Sequence, residues 1–187
     1  MRGDLREGSI SYQPKGGLIG NNQTQGKPFH LPDGSYFHSG VKTEEIFILC
    51  ASNSMTDELR TRFEAKACVQ ILRPKNLRER IRYELPRTAT LRAEPVIYYS
   101  PINEPGPKWA LPDMIAFSKI DSYSWQDEFR YVFAVTDALK YGSAAQKIVI
   151  PNQPPEPSAP QPPAAPAPPD YLMKVKALGS ICKLHVF

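Results

Sequence analysis

Within residues 117–135, FSKIDSYSWQDEFRYVFAV, the polar residues Gln126, Glu128 and Arg130 recur at every second position. In an extended chain side chains alternate between faces, so these three share one side with Val132 and Ala134. Trp125, Asp127, Phe129, Tyr131, Phe133 and Val135 take the other side. The first set begins polar and ends apolar, which places its polar end at the rim of a sheet, where a cleft can form. Gln126 and Glu128 then project in parallel about 7 Å apart. A carboxylate held there can accept a hydrogen bond from a sugar hydroxyl and stabilise positive charge growing on a ribose carbon. The neighbouring amide can hold a second reactant. Tyr123 and Trp125 offer flat surfaces for an aromatic leaving group or a base. Glu128 and Arg130 also have a plainer use, since two apart on one face they can pair as a structural charge couple.

The elements that must position this stretch are legible around it. Ser9–Tyr12 reads as a short strand in an otherwise Gly-, Asn-, Gln-, Ser- and Pro-rich start (1–43). IFILCAS (46–52) is an apolar run of strand length, as expected where both faces are buried. An SMTD box from Ser54 caps a short helix with Met55, Leu59 and Phe63 on one stripe. KACVQI (66–71) is the next strand. A second helix starts at Pro74 or Asn76 and lines up Leu77, Ile81 and Leu85. Further strands are expected at 94–100, 124–135 and 147–150, and strand-like alternation returns in the closing YLMKVKALGSICKLHVF. The order predicts a single α+β domain over 1–187, with a mixed or antiparallel sheet, whole or split, and two short helices.

Residues 151–170, PNQPPEPSAPQPPAAPAPPD, hold ten of the chain's 20 prolines. Proline fixes φ and has no amide to donate, so this stretch cannot join a sheet and reads as an extended insertion within the domain. Its PPAAP segment has the PxxP spacing of ligands for proline-recognising modules.

Composition narrows the function classes. Lys and Arg number 23 against 19 acidic residues, a net charge of +4, too mild for a dedicated duplex-DNA binder. The arginines from Arg73 to Arg92, with Tyr98 and Tyr99, leave RNA binding as a minor alternative; a solvated helix face is the plainer reading. Cys50, Cys68 and Cys182 stand far apart in apolar runs and read as buried, reduced thiols. His30, His38 and His185 are scattered without acidic company and read as surface-loop residues, so no metal site is expected. There is no phosphate-cradling glycine loop in a strand–loop–helix setting. No apolar run has membrane-spanning length and the start lacks a signal peptide, so a soluble, cytoplasmic protein is expected.

The ordered string Phe117, Lys119, Tyr123, Trp125, Gln126, Glu128, Phe129, Arg130 resembles a pattern in a group of uncharacterised bacterial proteins. These show a Phe and a Lys, then approximately Tyr-Gln-x-Glu-Tyr-Arg. RGDLREG (2–8), FILCAS (47–52), FEAKACVQI (63–71), VIYYS (96–100) and the closing segment match in the same order. The Gln-x-Glu element is also similar to that of ADP-ribosyltransferases. That resemblance implies their fold, with NAD as the substrate and a protein or nucleic acid as acceptor, in a toxin or phage-defence enzyme. It implies Glu128 as the catalytic carboxylate on the nicotinamide ribose and Gln126 as the acceptor-side residue. Ser118 or Ser122 would be the supporting serine, Tyr123 or Trp125 the loop aromatic, and Arg2 the early basic residue that grips NAD. The alternative is a non-catalytic binding protein of the same fold, a degenerate or truncated member.

Overall fold

Leu77, Ile81 and Leu85 recur at spacing four, and all three are buried. They belong to the longest helix of the computed structural model, which describes residues 8–21, 26–41, 45–103, 111–151 and 173–187. Arg2 and residues 152–170 of the proline-rich stretch lie outside the described residues.

The first strands are β1 (Ser9–Tyr12), β2 (Ile19–Asn21), β3 (Pro28–His30) and β4 (Tyr36–Gly40), then β5 (Ile46–Ser52) and helix α1 (Asp57–Arg62). β6 (Ala67–Ile71), α2 (Pro74–Glu84), β7 (Thr90–Pro95), β8 (Ile97–Tyr99) and α3 (Pro112–Ala116) follow. The chain continues through β9 (Ser118–Ile120), β10 (Glu128–Ala134), β11 (Ala145–Val149) and β12 (Cys182–Val186). This is a mixed α+β arrangement in which the sheet is split into small pieces, ordered β1-β4-β11, β5-β10-β7, β12-β6, β2-β3 and β8-β9. All pairings are antiparallel except β8 with β9. Among the described residues no helix is long and apolar enough to cross a membrane.

β10 is the centre. It lies between β5 and β7, and the alternation of its side chains serves two cores. Tyr131 and Phe133 pack against Leu77, Ile81 and Leu85 of α2 and against Ile181. Val132 and Ala134 pack against Ala116, Phe117 and Ala138 on the other side. Phe47 of β5 stacks on Phe133 with ring centroids 5.1 Å apart. α2 begins with Pro74 in its first turn, where the missing amide costs nothing.

Several expectations are revised. The strand foreseen over 124–135 begins only at Glu128, because Asp121–Gln126 form a tight 3-10 turn and Asp127 is left-handed at φ 44°. The turn is tied down from β5: Ser52 Oγ donates to the Gln126 carbonyl at 2.6 Å, and the Asn53 amide donates to that of Asp127 at 2.8 Å. α1 is capped by Thr56, whose hydroxyl accepts from the Leu59 amide, rather than by Ser54. Of its foreseen stripe only Leu59 is buried; Met55 and Phe63 are exposed. β5 is not covered on both faces, since Leu49 and Cys50 are exposed, and Cys68 and Cys182 are only half-buried. The strand expected over 94–100 is broken into β7 and β8, the break falling after Pro95. Among the described residues, the stretch up to 41 contributes four strands rather than one, and α3 makes a third helix.

Because α2 closes one core of β10, Ile81→Ala should lower unfolding free energy by about 2–5 kcal/mol. A shifted urea midpoint at unchanged slope is the expected reading.

Candidate functional site

Ser118, Lys119 and Ile120 leave α3 as β9, a strand pinned parallel to β8, with Ser118 opposite Ile97 and Lys119 opposite Tyr98. This aims the Lys119 side chain beneath the start of β10. Its ammonium donates to Gln126 Oε1 and to Glu128 Oε1, each at 2.7 Å. Arg130, one pleat further along β10, donates from Nε to Glu128 Oε2 at 2.9 Å and from Nη1 to the Ala116 carbonyl at 2.6 Å. Both oxygens of Glu128 are therefore held by cations. Lys119 and Glu128 are 8% exposed and Arg130 0%. With two cations and one carboxylate, the cluster carries one net positive charge.

The aromatics before the strand divide between two places. The Lys119 ammonium lies 4.9 Å from the centre of the Tyr123 ring. Trp125 turns instead to Phe63, with ring centroids 5.2 Å apart, and is covered by the Arg62 guanidinium at 4.6 Å. That contact needs Trp125 off the pleat of β10, which is the physical reason for the turn preceding the strand. Ser118 Oγ donates to the Met114 carbonyl at 2.7 Å and helps close α3 onto β9. Ser122 is exposed. Arg2 is not among the described residues.

Beside this cluster is a cavity of about 240 Å³. Lys119, with Arg130 behind it, forms one wall; Ser9, Ser11 and His38 of β1 and β4 form another, and Tyr99 of β8 joins them. Neither Gln126 nor Glu128 lines it. Ser11 and His38 are cross-strand partners, with Ser11 Oγ 3.3 Å from His38 Nδ1, and the Ser11 amide donates to the Tyr99 hydroxyl at 3.0 Å. His38 is thus a strand residue facing the cavity, not a surface-loop histidine. His185 is likewise on a strand, β12, where Nε2 meets Gln70 Oε1 at 2.9 Å, and His30 is on β3. Among the described residues no cluster of His, Cys, Asp or Glu has the makings of a metal site.

Nothing in the spacing around 126–130 points to Ser9, Ser11 or His38. They are more than eighty residues away in sequence, and the contacts of β1 with β9 and of β1 and β4 with α3 bring them near. Of the residues named for the RNA alternative, Arg73 and Arg78 are exposed, while Arg80, Arg82 and Tyr98 also make contacts within the fold. Arg80 donates to the carbonyls of Lys176 and Ala177, and Arg82 donates to those of Ala89 and Pro86. Tyr98 accepts the Glu128 amide at 2.9 Å.

Burial pushes the Tyr98 phenol above its ordinary 10.0, more than the amide donated by Glu128 lowers it. The neutral phenol therefore contributes stability that is whole below pH 10.0 and is lost as pH rises through the raised folded value. Tyr98→Phe should flatten the fall of Tm between roughly pH 9 and 11. Removing the central carboxylate leaves Lys119 and Arg130 facing each other without a counter-charge. Glu128→Ala should cost about 3–5 kcal/mol, against about 1–3 kcal/mol for Gln126→Ala, which removes one neutral acceptor. Urea denaturation of the two variants measures the difference.

No protein-family model matches the chain, and neither a curated protein nor a solved structure matches it.

Proposed function

We propose that this chain is a ligand-binding protein of the ADP-ribosyltransferase-like kind, holding an anionic nucleotide-type ligand in the cleft beside Lys119 and Arg130 without turning it over. The observation that carries this reading is the closed clamp on Glu128, both of whose oxygens are taken by buried cations. A carboxylate that stabilises an oxocarbenium-like centre has to present negative potential to the ribose. Here the carboxylate is outweighed, and the net positive charge favours holding phosphates over assisting loss of nicotinamide.

ADP-ribosyl transfer to a protein or nucleic acid, as in a toxin or phage-defence enzyme, is the second reading. It is favoured by one observation: Gln126 and Glu128, at the family spacing, converge on a single ammonium at 2.7 Å each. In that case Lys119 and Arg130 must release Glu128 when NAD binds, with Tyr123 beside the nicotinamide.

NAD distinguishes the two. Millimolar NAD should raise Tm, while chromatography of the mixture finds no free nicotinamide. Nicotinamide accumulating in wild type and absent in a folded Glu128→Gln variant would establish transfer instead. An unchanged melting curve would remove NAD from both.

A further inference from the structure

We propose that the cavity between β1/β4 and β9/β10 takes the terminal phosphate of a phosphomonoester, so that the ligand is a sugar phosphate or nucleoside monophosphate rather than a phosphodiester. The inference rests on the reading of this cleft as an anion site and names the chemical class it selects.

Size is the first ground. Pockets that enclose a whole drug-sized molecule start near 300 Å³, and this one measures about 240 Å³. It seats a head group with part of a sugar, not a dinucleotide. A phosphate at the end of a molecule can enter such a space with its oxygens foremost. A phosphate bridging two sugars has bulk on both sides and fits the space less well.

Charge is the second. Lys119, Glu128 and Arg130 sum to one positive charge, all nine-tenths or more buried, so little solvent screens it. A phosphomonoester carries about −1.5 to −2 at neutral pH, whereas each phosphate of a diester carries one negative charge. The dianion gains more from the same field. Arg130 lies behind the cavity wall at 0% exposure and adds its charge to that field without touching the ligand.

Donor type is the third. Opposite the cations stand the hydroxyls of Ser9 and Ser11 and the imidazole of His38. Hydroxyls rotate to donate, and an imidazole keeps an N–H in either protonation state. No carboxylate lines this cavity, so nothing on its wall repels the anion. Tyr99, at the same wall, offers a flat face to the sugar.

Calorimetric titration of the full chain at low ionic strength tests the assignment with ribose 5-phosphate, inorganic phosphate, dimethyl phosphate and NAD. Ribose 5-phosphate and inorganic phosphate should compete for one site, dimethyl phosphate should not bind, and NAD should bind at least tenfold more weakly than ribose 5-phosphate. Ser11→Ala and His38→Gln should each weaken ribose 5-phosphate about tenfold, the size of one lost hydrogen bond to a charged group, with melting curves verifying the fold. Ser9→Ala serves if either variant fails to fold. Dimethyl phosphate or NAD binding as tightly as ribose 5-phosphate, or affinity unmoved in the folded variants, overturns the inference. Binding of NAD alone overturns it and leaves the nucleotide reading standing; binding of ribose 5-phosphate without NAD supports it and removes NAD. Binding of neither sinks both.

Discussion

Two cationic side chains meet out of water around one carboxylate, and much of the surrounding structure is arranged to make that tolerable. Desolvating Lys119, Glu128 and Arg130 costs several kcal/mol per ion unless each finds partners of good geometry. The partners come from four places: Gln126 from the turn before β10, the Ala116 carbonyl from the end of α3, and the two ends of the ion pairs from β9 and β10. The cluster therefore fixes how α3, β9 and the 121–126 turn sit against β10. Arg92 of β7 adds a second tie, pairing with Asp113 of α3 and lying over the Phe117 ring at 5.6 Å.

The same constraint shapes the cleft. A cluster that balanced its charges could be sealed by apolar packing. This one has one positive charge left over, and a cavity lined by serines, a histidine and two tyrosines adjoins it in place of a third apolar core. The opposite face of β10 has no such demand, and there Tyr131 and Phe133 close onto α2 and Ile181. One strand thus separates an apolar core from a polar cleft because its two faces carry different residue types.

Much of the frame was open to sequence reasoning for physical reasons that are local. The spacing of Leu77, Ile81 and Leu85 determines a helix with one buried face, and Pro74 can only start it. The alternation from Glu128 to Ala134 places Arg130 and Phe133 on opposite faces whatever surrounds the strand. The Glu128–Arg130 pair, two apart on one face, was legible in the same way. Ser124 to Asp127 carry residues that suit a strand, but Trp125 packs against Phe63 in a tilted ring contact, and Ser52 and Asn53 hold the turn in place. Burial was also overdrawn. An apolar run such as IFILCAS states that a strand is feasible, not that neighbours cover both of its faces, and Cys50 is exposed.

The stretch first singled out, Gln126 with Glu128 and Arg130, keeps its place as the centre of the molecule, with a changed part to play. By itself the sequence determined which side chains share a face of β10, where α2 begins, and that charge of both signs collects near residue 128, since these follow from backbone periodicity. Only the tertiary structure decided that Lys119 enters the cluster, that both oxygens of Glu128 are occupied, and that Ser9, Ser11 and His38 face the cations across a cavity. Lys119 is only seven and nine residues from Gln126 and Glu128, but a turn and a change of strand lie between them; the cavity joins residues more than eighty positions apart, and no local period encodes pairings that depend on how whole strands pack.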